Sequence, residues 1–193
     1  MDSTQVASLV RQLEENLASL PEPVARPVFI VVSGLPGTGK SYFSHKLAER
    51  IPLVILESDA LRKAIYPEPA YSREESRILF QAIHLLIKKL LTNGISLVLD
   101  ATNLSEHYRE YLYNIAEHLD DKLILVYLEA PPDVVSARIR ARHQDLGNRS
   151  DADWAVYQKM RHTVEKIRRK HFTVNTAYDI TPALNKIVKE VLR

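Results

Sequence analysis

The segment Gly34-Leu35-Pro36-Gly37-Thr38-Gly39-Lys40-Ser41 constrains the chain more than any other stretch. It matches the pattern G-x-x-x-x-G-K-[ST] at every fixed position. An apolar, β-branched run from Val28 to Val32 precedes it, and residues 40–50 that follow are compatible with a helix. A strand, a glycine-rich loop and a helix, in that order, are the context in which this pattern cradles phosphate groups. We therefore predict a nucleotide-binding loop here.

The residue types in this loop suit the chemistry of a bound triphosphate. Glycines allow backbone N–H groups to turn inward and approach the phosphates closely, and the following helix adds its positive N-terminal end. Lys40 is expected to reach the β- and γ-phosphates and Ser41 to ligate Mg²⁺. The predicted nucleotide-binding set extends to Tyr42 and also includes Arg149. The alternative is a glycine turn that matches by chance.

Composition narrows the class of protein but not its activity. The 193 residues suit one domain with a sizeable core, and 46% hydrophobic and 26% charged residues are ordinary for a globular protein. A net charge of +2 does not by itself point to nucleic acid. The absence of cysteine excludes disulfides, thiolate metal sites and cysteine nucleophiles. With no visible secretory signal and no apolar run long enough for a membrane span, we expect a cytoplasmic protein.

Residues 1–26 are expected to form an amphipathic helix, about residues 2–20, and a proline-rich linker ahead of the main domain, residues 27–193. The apolar positions that fall on one stripe of this helix are Val6, Leu9, Val10, Leu13, Leu17 and Leu20. We expect the stripe to pack on the main domain, and a partner-binding arm is the alternative.

Strands and helices are predicted to alternate along the main domain. The predicted strands are 28–33, 53–57, 95–100, 123–129 and 171–175. The predicted helices are 40–50, 59–65, 72–92, 105–119, 132–143, 151–169 and 182–192. Strands this apolar are covered on both faces, so we predict an α/β sandwich of three layers around a five-stranded parallel sheet. The site should then lie at the carboxyl ends of the strands.

Two charged clusters follow predicted strands at that edge. Asp59 comes just after the second strand, where a carboxylate beside the phosphate loop accepts the proton of an attacking hydroxyl. Arg62, one helical turn on, is expected to hold an anionic group of the acceptor; helix capping by Ser58 or Asp59 is the alternative. Asp100 ends the third strand as a Walker B-like carboxylate for Mg²⁺ or for the acceptor, and Asn103 after it is expected to bind the acceptor. A polar turn is the alternative for this second cluster.

A third cluster is basic. Arg138 and Arg142 lie four residues apart and share a helix face, and Arg149 follows. We expect a lid over about residues 131–152, in which Arg138 and Arg142 close over the transferring phosphoryl group. A solvated basic helix face is the alternative. The run from Lys166 to Lys170 is expected to be a solvated helix end, with contact to a phosphate backbone as the alternative.

Taken together, these segments resemble the AAA-like P-loop kinase domain family, which groups with polynucleotide kinases, zeta toxins and chloramphenicol phosphotransferase. The resemblance extends over residues 28–192. It rests on the phosphate loop, Ser58 to Arg62, Leu99 to Leu104 and the pair Arg138 and Arg142. Residues 148–152, which include Arg149, are similar to the segment that follows the lid in this family.

The resemblance implies the strand order 2-3-1-4-5, ATP with Mg²⁺, and phosphoryl transfer to a hydroxyl. It assigns Asp59 and Arg62 the roles of general base and acceptor arginine, and the loop 176–182 the contact with adenine. The acceptor stays open between a polynucleotide 5′-hydroxyl and a small metabolite. Two alternatives also stay open, a nucleotide-switched ATPase module and a zeta-toxin-like nucleotide-sugar kinase. A monomer or a homodimer is expected.

Overall fold

The fold was analysed in a computed structural model, which describes residues 3–17, 19–142 and 152–193. The strands are β1 Val28–Ser33, β2 Val54–Glu57, β3 Leu97–Asp100, β4 Lys122–Glu129 and β5 Phe172–Asn175. The helices are α1 Ser3–Glu15, α2 Lys40–Ala48, α3 Ser58–Ile65, α4 Arg73–Thr92, α5 Glu106–Leu119, α6 Pro132–Arg142, α7 Trp154–Met160 and α8 Thr181–Val191. None of the helices in these ranges is long and apolar enough to cross a membrane.

The described strands form one parallel sheet in the order β2-β3-β1-β4-β5, which confirms the predicted order. β1 lies at the centre, and all six of its residues are buried. One apolar cluster packs α4 and α5 on one face of the sheet, and a second packs α2 and α8 on the other. Because all the pairings are parallel, the carboxyl ends of the five strands lie at one edge of this three-layer arrangement.

The predicted helix 2–20 ends early, at Glu15, and Leu20 beyond it is exposed. Within α1 the apolar stripe is buried by packing, with Leu13 fully inside the core beside α4. Gln12 donates a hydrogen bond to the carbonyl oxygen of Ala64, near the end of α3 (2.8 Å). Glu14 forms an ion pair with Lys89 of α4 (2.7 Å). These contacts attach α1 to α3 and to α4. The division of the chain at residue 26 stays a prediction.

The predicted helix 151–169 is wrong over its second half. α7 ends at Met160, a short 3₁₀ turn covers Arg161–Thr163, and the backbone of Val164 is extended. The reason is tertiary: the backbone N–H of Glu165 donates to the carbonyl oxygen of Leu104 (2.9 Å) instead of to a preceding helical turn. We call the non-helical residues 164–170 the strap.

Arg109 of α5 holds the strap in place. Its side chain is only 1% exposed, and its guanidinium donates to the carbonyl oxygens of Asn103 (2.6 Å), Glu165 (2.9 Å) and Lys166 (3.2 Å). It also forms an ion pair with Glu106 (2.7 Å). One buried side chain therefore joins α5, the strap and the loop that follows β3.

We predict that Arg109→Leu lowers the free energy of unfolding by about 3–5 kcal/mol, because the substitution leaves three carbonyl oxygens and a carboxylate without their buried donor. Chemical denaturation followed by circular dichroism measures the change. Arg77→Leu is the matched control, since that arginine is exposed on α4 and pairs only with Glu74. Equal small changes in both variants would show that Arg109 does not hold these elements together.

Candidate active site

The phosphate loop joins the end of β1 to the start of α2. Its backbone requires glycine at Gly39, the N-cap of α2, where φ is 85°. At Gly34 the reason is space, because an added Cβ would lie 2.5 Å from the carbonyl oxygen of Leu128. The loop therefore packs against the end of β4, and α2 begins directly after it at Lys40, so the positive N-terminal end of that helix lies beside the loop and favours an anion there.

Lys40 lies folded against this loop. Its Nζ donates to the carbonyl oxygen of Leu35 (3.2 Å), which also accepts from the Thr38 hydroxyl (2.7 Å). Burial lowers the pKa of Lys40 below its ordinary value, and the carboxylates of Asp100 and Asp59 oppose that shift. Arg142 adds to the lowering as a nearby like charge. Four charged side chains thus act on one another in this region.

Asp100 stands beside the loop because β3 pairs with β1 in the register that sets Val32 opposite Asp100. It is 5% exposed, and its Oδ2 has no hydrogen-bond partner. Burial raises the pKa of Asp100, while the charge of Lys40 and a hydrogen bond with Ser41 lower it. A buried carboxylate oxygen without a partner, beside a serine hydroxyl, fits a Mg²⁺ ion.

Such an ion would need further ligands from a bound substrate. Within the described residues, no group of three or more His, Cys, Asp or Glu side chains is placed to hold a metal. Mg²⁺ commonly takes one or two protein ligands and completes its shell with waters and phosphate oxygens. The pair Ser41 and Asp100 fits that mode of binding.

Asp59 lies in the first turn of α3, and Glu57 is the N-cap of that helix. Neither Ser58 nor Asp59 is the capping residue, so the structure removes the capping alternative. Asp59 is half-buried and lines the same cleft as Lys40, Ser41 and Asp100. Asp59 therefore lies in the same cleft as the phosphate loop, at the end of β2, although β3 stands between β2 and β1.

Arg62 is held more tightly than the sequence predicted. It is 7% exposed, donates to the hydroxyl of Ser76 (3.1 Å) and lies 3.7 Å from the Glu75 carboxylate. Its guanidinium carbon also lies 5.0 Å from the centre of the Tyr71 ring. Nη1 has no hydrogen-bond partner. Arg62 thus lines the cleft, and its contacts with Glu75 and Ser76 of α4 hold its guanidinium in place.

The cleft between these residues has a volume of about 800 Å³. Its wall continues from the phosphate loop across α3 and α4 to α7. The residues that line it beyond those already named include His45, Glu57, Phe80, Thr102, Ala152, Val156 and Met160. This volume suits a small ligand or the end of a larger one.

Asn103 is not among the residues of the cleft wall, although it was predicted to bind the acceptor. It is buried, and its Nδ2 donates to the carbonyl oxygen of Val32 (3.0 Å). Its own carbonyl oxygen accepts from Arg109 (2.6 Å). With its amide N–H bonded to the backbone of β1, the side chain ties the loop after β3 to the central strand.

The two arginines of α6 take different positions. Arg142 lines the cleft and donates to the carbonyl oxygen of Ala152 (2.7 Å). Burial lowers its pKa, and the Asp59 carboxylate opposes the shift. Arg138 donates instead to the hydroxyl (2.8 Å) and carbonyl oxygen (2.7 Å) of Thr176. Closure of Arg138 over a phosphoryl group stays a prediction. Arg149 lies outside the described residues, as do residues 143–151 of the predicted lid.

Thr176 also anchors the loop after β5 to the phosphate loop. Its hydroxyl donates to the carbonyl oxygen of Thr38 (2.8 Å). A second cavity of about 650 Å³ opens on this side of Arg138. Tyr42 and Tyr178 are among its lining residues. The two cavities share Gly39, Tyr42 and Arg138, so they meet at the phosphate loop.

Sequence reasoning missed Glu57 and His45. Glu57 is the last residue of β2, opposite Asp100 in the register, and it lines the cleft. His45 of α2 forms a contact of 2.9 Å from Nε2 to the Glu57 carboxylate, and it lies on the cleft wall rather than on the sheet. An acidic residue at the end of a buried strand was the available signal.

We predict that Asp100→Asn stabilises the nucleotide-free protein at neutral pH. A folded-state pKa above the ordinary value contributes stability at low pH that is lost as the pH rises through the raised value. The free energy of unfolding of the variant does not fall in this way. The difference in free energy of unfolding between variant and wild type should therefore increase as the pH rises from about 4 to 7. Denaturant titrations in EDTA measure it. A difference that is constant with pH would contradict the assigned burial of this charge.

Comparisons with known proteins agree with this geometry. The sequence profile of the AAA domain family matches residues 29–167. An L-seryl-tRNA(Sec) kinase of Methanococcus maripaludis is 32% identical over 126 residues, which are 63% of this chain and 48% of the relative. A probable adenylyl-sulfate kinase of Pyrococcus abyssi is 31% identical over 111 residues, 54% of this chain and 61% of the relative. The chain spans about half the length of these relatives.

Solved structures show the same fold. A putative kinase from Chloroflexus aurantiacus superposes with a TM-score of 0.66 at 24% identity, covering 86% of this chain and 97% of its own. The APS kinase CysC of Mycobacterium tuberculosis, in complex with AMPPNP and APS, gives 0.63 at 14% identity, covering 89% and 100%. Because the family profile extends over most of the chain and includes the phosphate loop, this protein belongs to the AAA domain family, as its resemblance to AAA-like P-loop kinases predicted.

Proposed function

We propose that this protein is an ATP-dependent kinase that transfers the γ-phosphate to a hydroxyl acceptor. The observation that carries the proposal is the meeting of Lys40, Asp59, Asp100 and Arg142 on one cleft beside the phosphate loop. Membership of the AAA domain family and the similarity to seryl-tRNA and adenylyl-sulfate kinases support it.

ATP is proposed to lie across the phosphate loop, with its base in the cavity beside Thr176 and Tyr178. The loop amides and Lys40 then hold the β- and γ-phosphates, and the exposed ring of Tyr42 lies at the base side. Ser41 and Asp100 are the proposed protein ligands of Mg²⁺. When bound, that ion neutralises the charge that develops on the phosphate oxygens. Relatives of this fold crystallised with AMPPNP or ADP-AlF3 support a nucleotide at this edge.

In the proposed reaction, Asp59 accepts the proton of the acceptor hydroxyl. The acceptor oxygen forms a bond to the γ-phosphorus as the bond from that phosphorus to the bridging oxygen of ADP breaks. Arg142, which lines the cleft near Asp59, offers positive charge to the equatorial oxygens of the group in transfer. Arg62, which lines the cleft, binds an anionic part of the acceptor through its guanidinium.

The acceptor is proposed to enter from the side of α3, α4 and α7. A polynucleotide end and a small hydroxyl metabolite both fit a cleft of this volume and openness to solvent. A nucleotide-switched module is disfavoured, because a switch needs no proton acceptor at the place where Asp59 stands. A cytoplasmic location and a monomeric or homodimeric state stay predictions.

We predict that Asp59→Asn lowers the rate of phosphoryl transfer by about 10²- to 10⁴-fold, because the amide cannot accept the hydroxyl proton. ATP affinity, measured by titration with a fluorescent ATP analogue, should stay within about threefold of the wild type, because Asp59 is proposed to contact the acceptor and not ATP. A threefold change in affinity corresponds to less than about 1.4 kcal/mol, which would be tenfold.

Asp133→Asn is the matched control, because this exposed aspartate of α6 lines neither cavity. It should leave both measurements unchanged. Near wild-type turnover in Asp59→Asn would show that this carboxylate is not the base. Equal loss of ATP binding and turnover would assign it to nucleotide binding instead.

A further inference from the structure

Exposure alternates along the second part of the strap, which bends at Arg169. Lys166, Arg168 and Lys170 are exposed, whereas Ile167 is buried and Arg169 is half-buried. The sequence had predicted a helix here, on which the same residues would spread around the axis.

The strap is fixed in this conformation by the side chains between the exposed ones. Ile167 packs in the core cluster that contains Tyr113. The Arg169 guanidinium lies 4.2 Å from the centre of the Tyr113 ring and pairs with Glu117. With Arg109 bonded to the backbone of Glu165 and Lys166, the positions of the exposed cations are set before any ligand arrives.

We call the exposed residues Lys166, Arg168 and Lys170 the basic strip. In the part of the chain that the structure describes, none of the three has an acidic partner within ion-pair distance. Their neighbour Arg169 behaves differently, since Glu110 and Glu117 both lie beside it. The strip therefore offers three exposed positive charges on a segment that Ile167, Arg169 and Arg109 hold in place.

The basic strip begins near the rim of the cleft. Met160 lines the cleft, and only the 3₁₀ turn and two residues separate it from Lys166. The backbone N–H of Glu165 is bonded to Leu104, which follows the cleft residue Thr102 by two positions. The strap that carries the strip is therefore close in the chain to one residue of the cleft wall and bonded close to another.

We propose that the basic strip docks the phosphate backbone of a nucleic-acid strand that carries the acceptor hydroxyl, a proposal that rests on the proposed function. A nucleic acid offers both requirements, a hydroxyl for the cleft and repeated phosphates for the strip. Contacts of this kind position a strand without reading its bases. A membrane surface fits less well, because no large exposed apolar side chain lies in the described segment 161–171 to insert beside the charges.

The test measures binding of a fluorescently labelled single-stranded RNA 20-mer to the full chain by anisotropy, without ATP, at several salt concentrations. The triple variant Lys166→Ala, Arg168→Ala, Lys170→Ala removes about three phosphate contacts. At about 0.7 per contact for a single strand, the slope of log K against log salt should flatten by about 2, and affinity at 0.1 M salt should fall roughly tenfold to hundredfold.

The matched control is Arg11→Ala, Lys186→Ala, Lys189→Ala, which removes the same charge from exposed cations on α1 and α8. It should leave the slope within error of the wild type. Circular dichroism and ATP binding should be unchanged in the strip variant, because its residues line neither cavity. Equal loss in both triple variants would mean attraction by overall charge, and would overturn the strip.

Two further outcomes separate the strip from the kinase. Transfer to a small hydroxyl compound by a protein that does not bind the RNA would overturn the strip and keep the proposed function. RNA binding that depends on the strip, without transfer to any acceptor, would keep the strip and overturn the proposed function. Binding of phosphatidylserine vesicles in place of RNA would overturn the assigned partner.

Discussion

The parallel pairing of β1 with β3 and β4 is the constraint on which the rest of the molecule depends. Because all three strands point the same way, the phosphate loop after β1, Asp100 at the end of β3 and the packing partner Leu128 in β4 meet at one edge. Because β2 pairs with β3, Glu57 at the end of β2 and Asp59 in the first turn of α3 lie at the same edge. A shift of one residue in the β1–β3 register would turn Asp100 to the other face of the sheet.

Without a ligand, the charged forms of Lys40 and Asp100 are disfavoured by burial. Burial lowers the pKa of Lys40 and raises that of Asp100, so each group would be less costly in its neutral form. The two charges partly offset each other, yet Asp100 Oδ2 still lacks a hydrogen-bond partner. In the proposed function, a triphosphate would bring an anion to Lys40, and Mg²⁺ would give the Asp100 Oδ2 the partner it lacks. A site that costs stability when empty is the expected result of selection for binding.

The sequence predicted the elements whose signals are local. The glycine pattern located the phosphate loop, and strand hydrophobicity with the family resemblance predicted the sheet and its order, which the structure confirms. The error at 151–169 came from contacts distant in sequence, since Arg109 and Leu104 bond the backbone there. Side-chain positions such as that of Asn103 depend on the same kind of contact. The tie of Arg138 to Thr176 spans 38 residues and has no signature in either segment.

The most direct test of the account is transfer of labelled γ-phosphate from ATP in the presence of Mg²⁺. Parallel reactions contain a 5′-hydroxyl oligonucleotide, a pool of small hydroxyl metabolites, or no acceptor. The account predicts that label appears covalently on an acceptor and that release of inorganic phosphate without acceptor is slow by comparison. Label released only as inorganic phosphate, at a rate that no acceptor changes, would contradict it.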